Sequence, residues 1–503
     1  MDPMSGMVYL IGAGPGDPGL LTLRGAELLG RSDVVLYDGL SNVELLHQAP
    51  SAQHICVGKH GQQRIWRQDE IANAMITHAM AGRTVARLKG GDPAVFARTT
   101  EEVDALVDAG IRYEIVPGIT AALAAGSYAG IPITHRKLAS AVALVTGHEE
   151  PGKAESALDW DALARFPGTL VIYMGVTTAG HWTRSLIDAG KSPGTPAAIV
   201  RRCSLPDQQT FHCRLDEVAD RLTPASKIRP PVIVILGPVA ELAETRSWIA
   251  PRPMLGRSVL VTRPSDQVDP LVGLLRDLGA TVLVQPAIAI GPPTDWAAVD
   301  AAIRQLHEQD FVVFSSRNGI RFFLNRVLAL DLDTRVFATC QIACVGQKTA
   351  EALQDFHLRA DWIPKDFRAE SLAEALSDQV SGKRVLLVRA SRGRDVLARS
   401  LSAAGAEVSE VTAYQHTDVV SADAKILELA SDGKIDWITV TSSATAENLH
   451  RMFGASIKHS RVASLSPVTS ETLRSLGYTV DAEANPYTMQ SLVQKILETE
   501  EGK

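Results

Sequence analysis

Three glycine turns in the first half of the chain have the composition to hold a small cofactor through main-chain contacts. The first, Gly14-Pro-Gly16-Asp-Pro-Gly19, has the G-x-G-x-x-G spacing of a dinucleotide site, and Asp38 closes the next apolar run about 20 residues on. Pro15 and Pro18 argue against NAD, because pyrophosphate is held by a run of free N–H groups where a helix begins and proline has none to give. The second turn, Lys89-Gly90-Gly91-Asp92-Pro93, follows the strand-like run TVARL, and the third, Val116-Pro117-Gly118-Ile119-Thr120, follows another short apolar run. In an open α/β sheet the ligand lies beyond the carboxyl ends of the strands, where glycine lets the backbone approach it closely. Three such strand ends suit a nucleoside-like cofactor.

The elements that must carry these turns are short β-branched runs, VYLIG, DVVLYD, TVARLKGGD, LVIYMG and VIVILG, alternating with Ala- and Leu-rich helical stretches. That pattern predicts an α/β fold with a mainly parallel sheet covered by helices. A chain of 503 residues exceeds what one core supports, and Trp248 to Gly256 (WIAPRPMLG), with two prolines and a new β-type run after it, reads as a linker. Residues 1–247 and 257–503 are then separate units flanking 248–256. The second unit repeats itself. Ser258-Val-Leu-Val-Thr-Arg263 is echoed by Arg384-Val-Leu-Leu-Val-Arg389, and Phe311-Val-Val-Phe-Ser-Ser316 by Trp437-Ile-Thr-Val-Thr-Ser442, both at an offset of 126 residues. Ile342-Ala-Cys-Val-Gly-Gln-Lys-Thr349 and Val462-Ala-Ser-Leu-Ser-Pro-Val-Thr469 form a third pair at an offset of 120. Two similar α/β lobes facing a cleft are expected.

Composition excludes several function classes. Hydrophobic residues make up 46% of the chain and charged residues 21%, the balance of a soluble globular protein. A formal net charge of -7 gives no global attraction to nucleic acid or anionic membrane, so an anionic small-molecule substrate must be met by locally placed Arg and Lys. The five cysteines, Cys56, Cys203, Cys213, Cys340 and Cys344, form neither a CxxC pair nor a cluster with histidines, so no metal site is expected. No apolar run approaches the roughly 18 residues of a membrane span, and a cytoplasmic location is expected.

The ordered set VYLIGAGPGDPGLLTLRGAELL, DVVLYD, VGK, RLKGGDPAVF, VPGITAALAAGSYAGIPITHR, LVTGHE, TLVIYMG and RPPVIVILG resembles uroporphyrinogen III C-methyltransferase, within the tetrapyrrole methylases. The resemblance implies two α/β lobes, about 7–118 and 119–245, with S-adenosyl-L-methionine in the cleft between them, S-adenosyl-L-homocysteine as product, and a homodimer. Carried over by position, the cofactor site includes Pro15, Gly90, Gly91, Asp92, Val95, Thr120, Ala121, Met174 and Cys203, with Asp92 a partner for a ribose hydroxyl or the amino group. Asp38 matches the position of a proton acceptor and Lys59 that of a proton donor. Methylating a reduced pyrrole carbon puts positive charge on the ring system, which a nearby carboxylate stabilises or deprotonates, while a lysine pairs with the acetate and propionate arms. The chain departs from the family pattern at Gly39 (usually Arg), Ala94 (usually Phe), Thr99 and Thr100 (commonly glycines) and Cys203 (usually Gly).

From Gly256 onward the runs VLVTRP, VVFSSRNGIRFF, CVGQKTAEAL, LLVRASRGRDVLARSLSAAGAEVSEVTAYQ, ITVTSSATAENL and SPVTSETLRSLGY resemble uroporphyrinogen III synthase. That family implies one lobe of about 257–288 plus 417–503 and another of 289–416. Its substrate, the linear hydroxymethylbilane, must fold, lose water and close with its last ring inverted. Tyr414 matches the tyrosine that helps the departing hydroxyl. Ser315, Thr349, Ser442 and Thr469 stand at turns after strands, where hydroxyls and N–H groups bind carboxylates, and Arg263 and Arg389 are repeat-related cations at strand ends. The synthase product is the methyltransferase substrate, so the combined output would be precorrin-2, towards siroheme or cobalamin, without NAD or metal. The alternative is a methylase of a neighbouring corrinoid intermediate fused to a non-catalytic two-lobed tetrapyrrole-binding or sensor domain.

Overall fold

The computed structural model describes residues 6–58, 66–149, 157–226, 228–264, 269–366, 369–392 and 395–502. Two compact units meet in sequence at Arg257 and Ser258, with Leu275–Thr281 grouped with the first.

The first unit begins with the strands Met7–Gly12 (β1), Val34–Tyr37 (β2), Gln53–Cys56 (β3), Val85–Lys89 (β4) and Arg112–Val116 (β5), ordered β3-β2-β4-β1-β5 and all parallel. Strand alternation places Val8, Leu10, Val34, Leu36 and Val85 on the face covered by helices Gln68–Met80 and Thr99–Asp108, through Ile71, Met75 and Leu106. Ile11, Val35, Ala86 and Leu88 line the opposite face against Leu28 and Leu29 of helix Leu23–Gly30, whose start is capped by Thr22 accepting from the Gly25 N–H at 3.1 Å. Burial on both faces is why β1, β2 and β4 lie almost wholly inside, as parallel strands between helices do.

The next sheet, Val142–Thr146 (β6), Thr169–Tyr173 (β7), Pro196–Arg201 (β8), Gln209–Arg214 (β9) and Val232–Leu236 (β10), departs from the mainly parallel expectation. In its order β6-β7-β10-β8-β9 only β6 and β7 run parallel, and the other three pairings are antiparallel. A parallel pair needs a crossover of a dozen or more residues, and the short connection between β8 and β9 allows only a hairpin-like return.

The second unit contains Ser258–Val261 (β11), Thr281–Val284 (β12), Ile288–Gly291 (β13), Phe311–Phe314 (β14), Gln341–Cys344 (β15), Arg384–Ala390 (β16), Glu407–Asp418 (β17), Trp437–Val440 (β18), Arg461–Ser464 (β19) and Ala482–Glu483 (β20). One sheet has the order β12-β11-β18-β19-β20 and the other β13-β17-β16-β14-β15, so the first lobe is built from both ends of the unit. Where the chain crosses between lobes, β13 and β17 pair antiparallel with Ile288 opposite Asp418. Buried Asn448, on helix Ser443–Phe453, donates to the carbonyls of both crossing segments, Ala287 and Val419. Asp418 accepts from Arg451 of the first lobe and Arg392 of the second, each at 2.6 Å.

Candidate active sites

In the first unit the glycine turns meet as backbone against backbone. A Cβ on Gly12 would lie 2.5 Å from the Gly118 Cα, and one on Gly118 would lie 2.3 Å from the Gly91 carbonyl oxygen, so only glycine fits at either position. Gly14 and Gly91 exchange both backbone hydrogen bonds, at 3.1 and 2.8 Å, which sets Pro15 beside the second turn. Gly91 has φ +70°, and the position of a Cβ on Gly90 has nothing within 4 Å. The Asp92 carboxylate fixes this corner, with Oδ1 accepting from the Ala94 N–H at 2.7 Å and Oδ2 from the Gly118 N–H at 2.9 Å.

A second group converges from the other sheet. Tyr173, at the end of β7, brings its hydroxyl to 2.6 Å from Thr120 Oγ1 and accepts the Ala122 N–H at 2.9 Å, capping helix Ala121–Ala129 from outside. Met174 follows with φ +54° and an exposed side chain, a conformation unusual for a long residue. Val95 and Ala121 pack on the buried cluster that holds Tyr173 and Cys203, and Phe96 lies 5.1 Å from the Tyr173 ring. The structure therefore gathers Gly91, Asp92, Val95, Thr120, Ala121, Met174 and Cys203 around strand ends of two sheets. Tyr173 was not singled out in the sequence, although its position directly before Met174 at a strand end was a usable signal.

Burial pushes the Cys203 thiol up to about 12 and raises the Tyr173 phenol, so both stay neutral near pH 7. Since the thiolate is the reactive form, Cys203 is expected to remain unmodified when the native protein is alkylated at pH 8 and mapped by mass spectrometry. Heavy labelling at Cys203 would contradict the burial described.

Asp38 stands just past β2, on the face that carries Arg87. Its Oδ1 accepts from Arg87 Nη2 at 2.6 Å and its Oδ2 from the Gly90 N–H at 3.3 Å. Lys59 lies outside the described residues.

In the second unit the repeat appears as four strand-to-helix turns with nearly the same backbone. Ser316, Gly346, Ser442 and Ser466 occupy the N-cap positions with φ between -155° and -163° and ψ between 158° and 167°. The three serines accept from the N–H groups of Gly319 at 3.1 Å, Thr445 at 3.2 Å and Thr469 at 3.4 Å. Ser442 is thus a cap hydroxyl, whereas Ser315 donates to the Val388 carbonyl at 3.3 Å and the cap of its turn is Ser316. The offset of 126 that pairs Ser442 with Ser316 was the signal for this residue. Thr349 and Thr469 are buried behind their turns. Arg263 follows β11, and Arg389 on β16 already pairs with Asp395 at 2.9 Å and with Glu410.

Tyr414 sits on β17 where the register with β16 shifts, and it is buried. Its hydroxyl shares a 2.7 Å hydrogen bond with Ser316 Oγ, its ring stacks on Phe322 at 5.9 Å with an interplanar angle of 7°, and His416 meets it edge-on at 5.3 Å. A helix start, its capping serine and the phenol thereby form one hydrogen-bonded chain.

The glycine corner belongs to one compact α/β unit and the capped repeat to another that follows it in the chain. Residues 7–219 match the Tetrapyrrole (Corrin/Porphyrin) Methylases family and residues 269–494 match Uroporphyrinogen-III synthase HemD. The "Porphyrin biosynthesis protein HemD" of Ruminiclostridium josui is 34% identical over 98% of this chain and 98% of its own length. The "Uroporphyrinogen-III C-methyltransferase" of Bacillus subtilis (strain 168) is 37% identical over 70% of this chain and 71% of its own. A solved uroporphyrin III C-methyl transferase from Thermus thermophilus is 43% identical over 47% of this chain and 99% of its own, with a TM-score of 0.41. The chain belongs to the family of porphyrin-biosynthesis proteins that join a tetrapyrrole methylase to a uroporphyrinogen-III synthase.

Proposed function

We infer that the second unit closes hydroxymethylbilane to uroporphyrinogen III with inversion of the last ring, and that the first unit methylates this product at C2 and C7 with S-adenosyl-L-methionine to give precorrin-2. The observation that carries the reading is the pairing, in one chain, of families whose product and substrate coincide. It also weighs against the alternative of a corrinoid methylase joined to a non-catalytic sensor.

The residues present fit the methyl donor. The open space at Gly90, the two-sheet convergence at Thr120, Ala121 and Met174 and the buried, neutral thiol of Cys203 make a cradle for a nucleoside and a sulfonium. When bound, the cofactor supplies an electrophilic methyl group. Asp92 orients the turn that receives it, and Asp38, at the mouth beside Gly90, offers negative charge to a macrocycle that becomes cationic. In the second unit, cap hydroxyls and helix-start N–H groups receive the substrate carboxylates, and Tyr414 donates a hydrogen bond to the departing hydroxyl while remaining a neutral phenol. Leu23, Tyr113 and Ile115 are exposed around edge strand β5, where Arg24 pairs with Glu114 at 2.9 Å, and support a homodimer through the first unit. Precorrin-2 made in the cytoplasm would feed siroheme or cobalamin.

The test is to incubate the purified chain with enzymatically generated hydroxymethylbilane, with and without S-adenosyl-L-methionine, and to separate the oxidised products by isomer. Type III uroporphyrin without the cofactor and a doubly methylated product with it are expected. Type I isomer alone would remove the synthase reading, and unmethylated type III in the presence of cofactor would remove the methyltransferase reading.

A further inference from the structure

Strand β4 carries two cations into the interior of the first unit. Arg87 and Lys89 project to the face beneath helices Gln68–Met80 and Thr99–Asp108, and both are buried, as is Glu102 of the second helix. Arg87 Nε donates to Glu102 Oε1 at 3.0 Å, Lys89 Nζ reaches Glu102 Oε2 at 2.5 Å, and Gln68 Nε2 adds a third donor to Glu102 at 2.9 Å. Arg87 Nη1 donates to the Leu88 carbonyl at 3.2 Å. The remaining nitrogen, Nη2, points outward to Asp38, whose side chain is 33% exposed, against 4% or less for Arg87, Lys89 and Glu102. Asp38 and Glu102 balance Arg87 and Lys89, and the neighbouring Glu101 is engaged with Arg98 at 2.7 Å.

Such a network is a poor way to stabilise a strand. Apolar residues of similar volume commonly do as well or better than a buried ion pair, because desolvating each charge costs several kcal/mol. What it does supply is orientation: a planar guanidinium held on one side by Glu102 presents its other edge in a fixed direction. That edge meets Asp38, and the other oxygen of the same carboxylate accepts the N–H of Gly90, the first residue of the cofactor turn.

We propose that Arg87 is a positioning residue for methyl transfer: anchored on Glu102, it holds the Asp38 carboxylate at a fixed place beside the Gly90 turn, so that its negative charge faces the tetrapyrrole that the methyl group alkylates. The proposal rests on the reading of Asp38 as the carboxylate that serves this reaction. Lys89 completes the anchor by binding the second oxygen of Glu102, which leaves Arg87 no freedom to turn inward.

The test compares wild type with Arg87→Lys, Arg87→Met and Asp38→Asn in the full chain, measuring kcat and KM for methylation of uroporphyrinogen III and the Kd of S-adenosyl-L-homocysteine. Arg87→Met is expected to lower kcat by about 10²-fold, the scale of losing one preorganised electrostatic group, while the Kd stays within roughly threefold. Arg87→Lys keeps the charge but loses the fork, and is expected to recover about tenfold of that loss. Should Arg87→Met fail to fold, Arg87→Lys carries the test alone through a reduced kcat at unchanged Kd. Wild-type kcat in the Arg87 variants, with Asp38→Asn impaired, overturns the proposal and leaves the role of Asp38 standing. Wild-type kcat in Asp38→Asn overturns both. A loss confined to the Kd of S-adenosyl-L-homocysteine also overturns it, because Arg87 would then shape the cofactor turn rather than Asp38.

Discussion

Replacing Glu102 by alanine is expected to destabilise the first unit by about 3–5 kcal/mol, the cost of removing one partner from a buried charge group. Glu102 accepts from Arg87, Lys89 and Gln68 at once, so its removal leaves two buried cations with only the partly exposed Asp38 to balance them. Burial and the nearby Arg87 lower the Lys89 pKa, and Glu102 and Asp38 oppose that shift. The measurement is urea unfolding of the full chain, following a probe in each unit so that two transitions can be separated. A first-unit midpoint equal to wild type would mean that water reaches the site and pays for the charges. The companion variant, with Arg87→Met, Lys89→Met and Glu102→Leu together, should regain most of the stability, because it removes the charges instead of orphaning one of them, while methylation stays about 10²-fold below wild type as in Arg87→Met.

Tyr414→Phe is expected to slow cyclisation by about 10²-fold or more, the usual contribution of a positioned proton donor, and to leave the fold intact. Phe322 and His416 grip the ring rather than the hydroxyl, so phenylalanine keeps those contacts. The hydroxyl lost is the one joined to Ser316, whose Oγ already accepts from the Gly319 N–H and is thereby free to donate its own hydrogen to the phenol oxygen. Product analysis of hydroxymethylbilane turnover should show type I isomer from spontaneous closure gaining at the expense of type III, while methylation of added uroporphyrinogen III continues at the wild-type rate. Undiminished type III formation would assign Tyr414 a packing role only.

Much of the cofactor corner was legible because residue type alone encodes it. Gly12, Gly91 and Gly118 approach one another so closely that a side chain at two of these positions would strike backbone, and such places show in a sequence as glycine at strand ends. The direction of β8, β9 and β10 was not legible, since apolar runs look alike in parallel and antiparallel sheets and only the short β8–β9 connection carries the difference. Arg87, within a strand-like run, and Lys89, read at the head of the glycine turn, gave no sign of their burial for a similar reason. Their partners lie on other elements, Glu102 on a helix beyond the glycine turn and Asp38 49 residues before Arg87, and nothing in a one-dimensional alternation separates a charge facing water from one facing a buried carboxylate. In the second unit the repeat exposed the lobes, but the choice of Ser315 over Ser316 turned on one residue of register, which reverses the direction of a side chain at a strand end.

The position of β11 within its sheet has a consequence for how the protein is made. Its neighbour β18 lies far along the chain, as the hydrogen bond between Ser258 and Asp436, 178 residues apart, illustrates. As the polypeptide leaves the ribosome, β11 emerges early with no β18 to pair with, while every strand of the sheet containing β13 to β17 is delivered before β18 exists. The inserted lobe can therefore close during translation, whereas the lobe that surrounds it has only β12 beside β11 and must keep the other edge of β11 open until β18 is added, the circumstance in which long-range pairing is slow and exposed edges find wrong partners.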